Sequence, residues 1–195
     1  MAKVLEGKTI AFLLTHGVEQ SELTEPRKAL DEAGARTVLI SPAAGTVQAM
    51  KHKEKGDTFK VDLALDAANP DDYDGLVLPG GVANPDELRT NPQAVNFVRA
   101  IFDSGKPVSA ICHGPWMLVE DRCDPRPHAD VMAITKNGYS NAGGTWTDRE
   151  VVQDGQLTTS HKPQDIPAFV RATLVGFAAA PQNPTLKRLN ASLSH

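Results

Sequence analysis

The chain has 195 residues, 41% of them hydrophobic and 23% charged, with a formal net charge of −4. That length suits one globular domain, and the mixed, mildly acidic charge excludes the basic footprint of a nucleic-acid or anionic-membrane partner. No apolar run approaches the roughly 18 residues of a membrane span, the first residues carry no export signal, and two cysteines, Cys112 and Cys123, are too few for a disulfide framework, so the expectation is a cytoplasmic protein with reduced thiols.

The elements alternate along the chain. Thr9–Thr15 (TIAFLLT) is apolar throughout, the pattern of a strand buried on both faces. Glu22–Ala33 reads as a helix with Pro26 early, Leu23, Ala29, Leu30 and Ala33 on one face, and Gly34 as its stop. Arg36–Ser41 is a second strand. Residues 42–65 hold two β-like pieces around a charged turn, Lys51–Asp57. Gly75–Pro79 is a third buried strand that ends in Gly80-Gly81. Pro92–Ser104 is a helix with Val95, Val98, Ala100 and Ile101 inward. Pro107–Ile111 is a fourth strand, and His113–Glu120 the helix after it. Thr145–Val152 and Gln156–Thr159 flank Asp154-Gly155, a hairpin signal. Ile166–Ala179 is a last apolar helix. Residues 1–180 form one domain in this reading, with a loosely ordered polar tail over 181–195.

Buried strands alternating with helices predict an α/β fold, a doubly wound, mostly parallel sheet with its site at the carboxyl ends of the strands. Those ends carry His16–Glu22, Gly80–Glu87 and Cys112–Pro115. In A-I-C-H-G-P a strand runs into Cys112 and a helix follows, so the helix N-terminus is expected to lower the thiol pKa and yield a nucleophile. His113 offers an imidazole beside it; the plainer reading is a buried cysteine at a strand end. Gly80 and Gly81, together with the His113 backbone, can turn N–H groups toward an oxyanion, or the glycines form an ordinary tight turn. Glu19 and Glu22 can supply a carboxyl to the thiol, or simply favour a helix start. Asp86 and Glu87 can orient His113 in a Cys-His-acid arrangement, or cap a solvated helix. His16, His52, His128, His161 and His195 lack metal-ligand spacing, so no metal is expected. No phosphate-cradling glycine pattern is present, and no cofactor is expected.

A-I-C-H-G-P, L-P-G-G and G-V-E-Q-S-E-L, in their places between about Lys8 and Phe169, resemble the PfpI branch of the PfpI/ThiJ superfamily. The resemblance implies a flavodoxin-like three-layer sandwich related to class I glutamine amidotransferases. It implies Cys112 as nucleophile, His113 as its neighbour, and Glu22, with Glu19 close behind, as the carboxylate contacting the thiol. It also implies homo-oligomers with the active site at the interface, where a neighbouring subunit supplies the acid that falls here on Asp86. The implied activities are deglycase or glyoxalase chemistry on methylglyoxal and its adducts, intracellular cysteine peptidase activity, and redox sensing or chaperone-like stress protection through an oxidisable Cys112. Small aldehyde adducts fit an interface pocket better than folded proteins do. A His-acid pair favours an enzyme, since a sensor needs no proton shuttle.

The resemblance breaks after Val119-Glu120, where relatives end a segment in R-G-R/K-x-x-T-S-[WY]-P and this chain has D-R-C-D-P-R-P-H-A-D-V-M-A. Back-translating Asp121–Ile134 one nucleotide later permits T-A-V-I-R-G-R-T-L-T-S-W-P-S. The segment therefore reads as a local frameshift, with Met132 standing where the tryptophan belongs and Cys123 and His128 as its products. Sequencing the gene across these codons checks this: codons that forbid the shifted frame refute it.

Overall fold

The computed structural model describes residues 3–120 and 149–182. Cys123, His128, the frameshift segment, the start of the expected strand from Thr145, and most of the polar tail lie outside the described residues. In chain order the elements are β1 (Thr9–Leu13), β2 (Val18–Glu19), α1 (Gln20–Glu32), β3 (Arg36–Ser41), β4 (Thr46–Lys51), β5 (Glu54–Lys60) and β6 (Leu63–Ala64). They continue with β7 (Gly75–Leu78), α2 (Ala83–Leu88), α3 (Pro92–Asp103), β8 (Val108–Ile111), α4 (Trp116–Glu120), β9 (Val151–Asp154), β10 (Leu157–Ser160) and α5 (Ile166–Ala179).

Among the described residues, seven strands form one sheet in the order β6-β3-β1-β7-β8-β10-β9. Pairing is parallel except between β9 and β10. Alternating side chains divide the core into two layers. Ile10, Phe12, Leu39 and Val77 pack with Leu23 and Leu30 of α1 and Phe177 of α5. Ala11, Leu13, Ile40, Leu76 and Leu78 face the other way, onto Leu88, Phe97, Val98, Ile101, Met117 and Leu118. Phe12, Phe169 and Phe177 are fully buried, each worth about 2–3 kcal/mol of apolar transfer. The expected flavodoxin-like sandwich is the observed fold.

Several boundaries differ from the sequence expectation, each for a local reason. The first helix begins at Gln20, so Pro26 lies inside it and leaves the Glu22 carbonyl without an i+4 donor. Ala100 is exposed, while Ala94, Phe97, Val98, Ile101 and Phe102 face inward. The turn within 51–57 is confined to His52 and Lys53, and Glu54–Lys60 is a strand that pairs antiparallel with β4. That tight turn puts His52 at φ 58°, and the Glu19 carboxylate accepts the His52 N–H at 2.9 Å. The Asp154-Gly155 hairpin forms as expected, with β9 starting at Val151.

A buried lysine closes the C-terminal end of α5. Lys8, 8% exposed, donates through Nζ to the carbonyls of Phe177 and Ala180 at 2.5 Å each. These are carbonyls with no partner within the helix. Burial lowers the Lys8 pKa and Asp74 opposes that shift. Lys8→Met should therefore cost about 1–3 kcal/mol, read as a lower denaturation midpoint; an unchanged midpoint would refute the capping role.

Candidate active site

β8 delivers Cys112 into a turn rather than directly onto a helix. Its N–H donates to Ser160 O of β10 at 3.0 Å, and its φ is +62°. A non-glycine residue held there costs about 1–3 kcal/mol. The turn closes as the Gly114 N–H donates to Ile111 O at 2.9 Å. A Cβ on Gly114 would strike Leu78 O and stand 2.9 Å from Ile111 O, so the close approach of the β7 and β8 ends requires glycine. The α-helix starts only at Trp116. Cys112 is 9% exposed and packs with Ile111, Ile166 and Phe169.

The end of β7 supplies the opposite wall. A Cβ on Gly80 would lie 2.5 Å from Glu22 Oε2 and 2.6 Å from Cys112 Cβ; only a missing side chain lets carboxyl and thiol close over that backbone. Gly80 N–H donates to Glu22 Oε2 at 2.8 Å, so it is unavailable to an oxyanion. The N–H of Gly81 and that of His113 point instead at the Cys112 thiol. Of the three expected backbone donors, Gly81 and His113 face the sulfur and Gly80 does not. Asn84, buried and missed in the sequence reading, fixes this loop: it donates to Pro79 O at 2.9 Å and Gly80 O at 3.0 Å, and accepts Thr15 N–H at 2.7 Å. The A-N-P-D pattern after Gly81 was its available signal.

The two candidate carboxylates separate. Glu22 is fully buried and faces the Cys112 thiol, while its Oε1 has no hydrogen-bond partner among the described residues. Burial pushes its pKa up to about 7, against the pull of the Cys112 and Gly80 hydrogen bonds. Glu19 turns to the β4–β5 turn, accepting His52 N–H at 2.9 Å, with Ser21 Oγ at 3.5 Å. It reaches Glu22 only as a neighbouring charge.

The expected fall in the thiol pKa is not found. Burial first, and the Glu22 charge second, push Cys112 up to about 12; the Gly81 and His113 N–H groups pull the other way. A helix that starts only four positions on does not offset burial and the neighbouring carboxylate. His113 Nδ1 lies 3.3 Å from Cys112 Sγ, and burial lowers the imidazole pKa. The resting pair is therefore a thiol beside a neutral base.

Asp86 does not meet His113 within the chain. Its Oδ1 accepts Arg89 Nε at 2.9 Å and Nη2 at 2.8 Å. Glu87 turns to Thr15 Oγ1 at 3.2 Å. The His113 ring meets Trp116 edge-on, with centroids 4.7 Å apart. Trp116 and Arg89 were not singled out in the sequence; each lies three residues after a candidate, on the same helical face or turn. Among the described residues, no three His, Cys, Asp or Glu side chains are grouped to hold a metal.

Glu22 makes stability depend on pH with a defined sign. Its folded pKa, about 7, stands above the ordinary 4.5, so its contribution is complete below about pH 4.5 and lost as pH rises through 7. A shift of that size corresponds to about 3 kcal/mol. Between pH 4.5 and pH 8, Glu22→Gln should gain stability on wild type by that order, measured by denaturant unfolding at both pH values. A difference that stays constant with pH would refute it.

The profile of the DJ-1/PfpI family matches residues 8–175. General stress protein 18 of Bacillus subtilis is 41% identical over 170 residues, covering 86% of this chain and 96% of that protein. Protein/nucleic acid deglycase 2 of Escherichia coli is 40% identical over 169 residues, covering 86% and 96%. Deglycase PfpI of Pyrococcus furiosus is 40% identical over 162 residues, covering 83% and 95%. Among solved structures, a two-domain DJ-1/ThiJ/PfpI-like and ferritin-like protein of Anabaena variabilis superposes with TM-score 0.79 at 30% identity, over 91% of this chain and 51% of that one. Drosophila melanogaster DJ-1beta superposes with TM-score 0.78 at 20% identity, over 100% and 98%, a likeness of fold. With a matching profile over most of its length and the strand-end cysteine in place, this chain belongs to the DJ-1/PfpI family.

Proposed function

We propose that the chain is a cysteine-dependent stress-protection enzyme acting on methylglyoxal-type aldehydes or their adducts, by deglycase- or glyoxalase-type chemistry. The observation that carries this reading is His113 Nδ1, a neutral base, 3.3 Å from the Cys112 thiol. Cys112 Sγ bonds to the electrophilic carbon as its proton passes to His113 Nδ1, and the carbonyl electron pair moves onto oxygen. The N–H groups of Gly81 and His113 meet the negative charge that develops beside the sulfur. Glu22, with its pKa raised to about 7, holds a proton against the same sulfur. The names of the deglycase relatives support this reaction class. YraA of Bacillus subtilis, 39% identical over 168 residues, has a cysteine-protease name, which keeps peptide hydrolysis as the second enzymatic reading. The reading includes a cytoplasmic homo-oligomer whose interface closes over the site; among the described residues no helix is long and apolar enough to cross a membrane.

Glu22 against the thiol also favours an alternative outside catalysis, a redox sensor in which the carboxyl donates a hydrogen bond to an oxidised sulfur. Turnover of methylglyoxal and of its thiol and amine adducts separates the two. Wild type should turn them over and Cys112→Ser should fall to background. An inactive wild type whose Cys112 still oxidises under mild peroxide would transfer the case to the sensor.

A further inference from the structure

Within one chain, His113 is linked to an acid by contacts that do not include a hydrogen bond between them. Asp86 holds the Arg89 guanidinium by two nitrogens, at 2.8 and 2.9 Å. The guanidinium carbon lies 5.4 Å from the Trp116 ring centroid. The indole in turn stands edge-on to the imidazole, 4.7 Å between centroids at 84°. The imidazole presents Nδ1 to Cys112 Sγ at 3.3 Å. From this train of contacts we propose that Arg89 is a positioning residue for His113, clamped by Asp86 and acting through Trp116.

The physical case rests on what a half-buried ring needs. An imidazole aims a given nitrogen only if its side-chain torsions are fixed. Here an edge-to-face aromatic contact restricts the ring, and the indole making that contact is restricted by the cation on it. An exposed Asp–Arg pair by itself is worth little. This one matters because its cation is the part that touches the tryptophan. The planar guanidinium can stack and donate two N–H groups to the carboxylate at once, which a lysine ammonium cannot. Within its own chain Asp86 then affects His113 without touching it, and Arg89 joins the set of residues on which the thiol-imidazole contact depends.

The test reads Cys112 directly and so stands apart from the proposed activity. The rate of iodoacetamide alkylation, mapped to Cys112 by mass, is measured from pH 5 to pH 10, with turnover of methylglyoxal adducts as a second readout. Arg89→Met and Trp116→Ala should slow alkylation near neutral pH by about fivefold and move the profile to higher pH. Trp116→Phe, which keeps a ring edge for His113, should stay near wild type. Arg89→Lys, which keeps the charge and loses the stack, should behave like Arg89→Met. Asp86→Ala should be slow too, and the Asp86→Ala/Arg89→Met double variant no slower than Arg89→Met alone. A wild-type profile for Arg89→Met overturns the proposal. So does a wild-type profile for Arg89→Lys and Trp116→Ala beside a slow Arg89→Met, because charge alone would then explain the effect. Loss of turnover in Asp86→Ala with normal alkylation and a fully active Arg89→Met also overturns it, because Asp86 would then act without Arg89. Slow alkylation in the predicted set, with no turnover in wild type, would sink the proposed activity and leave the positioning role standing.

Discussion

The strand ends are organised by the space that Gly80 leaves between a carboxyl and a thiol. Two acidic groups buried in contact cannot both be charged without a compensating cation, and no such cation is seen against this pair among the described residues. Glu22 and Cys112 therefore share a site that favours the neutral carboxyl and the neutral thiol, each raised by burial first. The arrangement depends on local backbone: Gly80 N–H holds one carboxyl oxygen, and Gly81 N–H is left for the sulfur. Burial and the Glu22 carboxyl, more than the field of α4, set the state of the sulfur.

That pairing demands a strained frame, and the strain is opposed at several points. Cys112 occupies the left-handed region because three parallel strands fix its neighbours. Its own N–H is tied to β10, Gly114 lets β7 pass beneath the turn, and Asn84 joins the ends of β1 and β7 through three hydrogen bonds. Each bond to Asn84 is worth about 1 kcal/mol net. Together they are of the same order as the 1–3 kcal/mol that the cysteine backbone costs. A turn of this kind can stand only where the surrounding sheet overdetermines it.

Much of this was legible in the sequence. TIAFLLT, RTVLIS, GLVLP and PVSAI lie within the central parallel strands almost residue for residue, since a strand buried on both faces needs an unbroken apolar run. Cys112, Glu22 and Gly81 follow from position at the strand ends together with the family resemblance. What escaped is of another kind. The residues alone leave Glu19 and Glu22 both open, and only the resemblance puts Glu22 first; the choice is decided by where α1 begins, and Gln20 gives no capping signal that fixes it. Alanine is indifferent to burial, so periodicity alone does not orient Ala100, expected inward and found exposed. A helix-terminus argument considers one element and gives the wrong direction for the thiol, whose shift comes first from burial and second from Glu22, 90 positions earlier.

The separation of Glu19 from Glu22 shows how the small second sheet serves the first. Among the described residues, β2 is two residues long and pairs parallel with β4, and Gly17 N–H reaches Gln48 O at 2.8 Å. Glu19 spends its carboxylate on the β4–β5 turn, and Gln20 binds Asp57 from the same stretch, at 2.7 Å through Nε2 and 2.8 Å through Oε1. With residues 17 to 20 fastened to the hairpin, the first turn of α1 cannot rotate. Glu22 is then the first acidic side chain whose direction is set by the helix alone, and the helix directs it inward over Gly80. An outlying hairpin thus fixes which acid reaches the sulfur, and it does so through backbone and side-chain contacts that never touch the thiol.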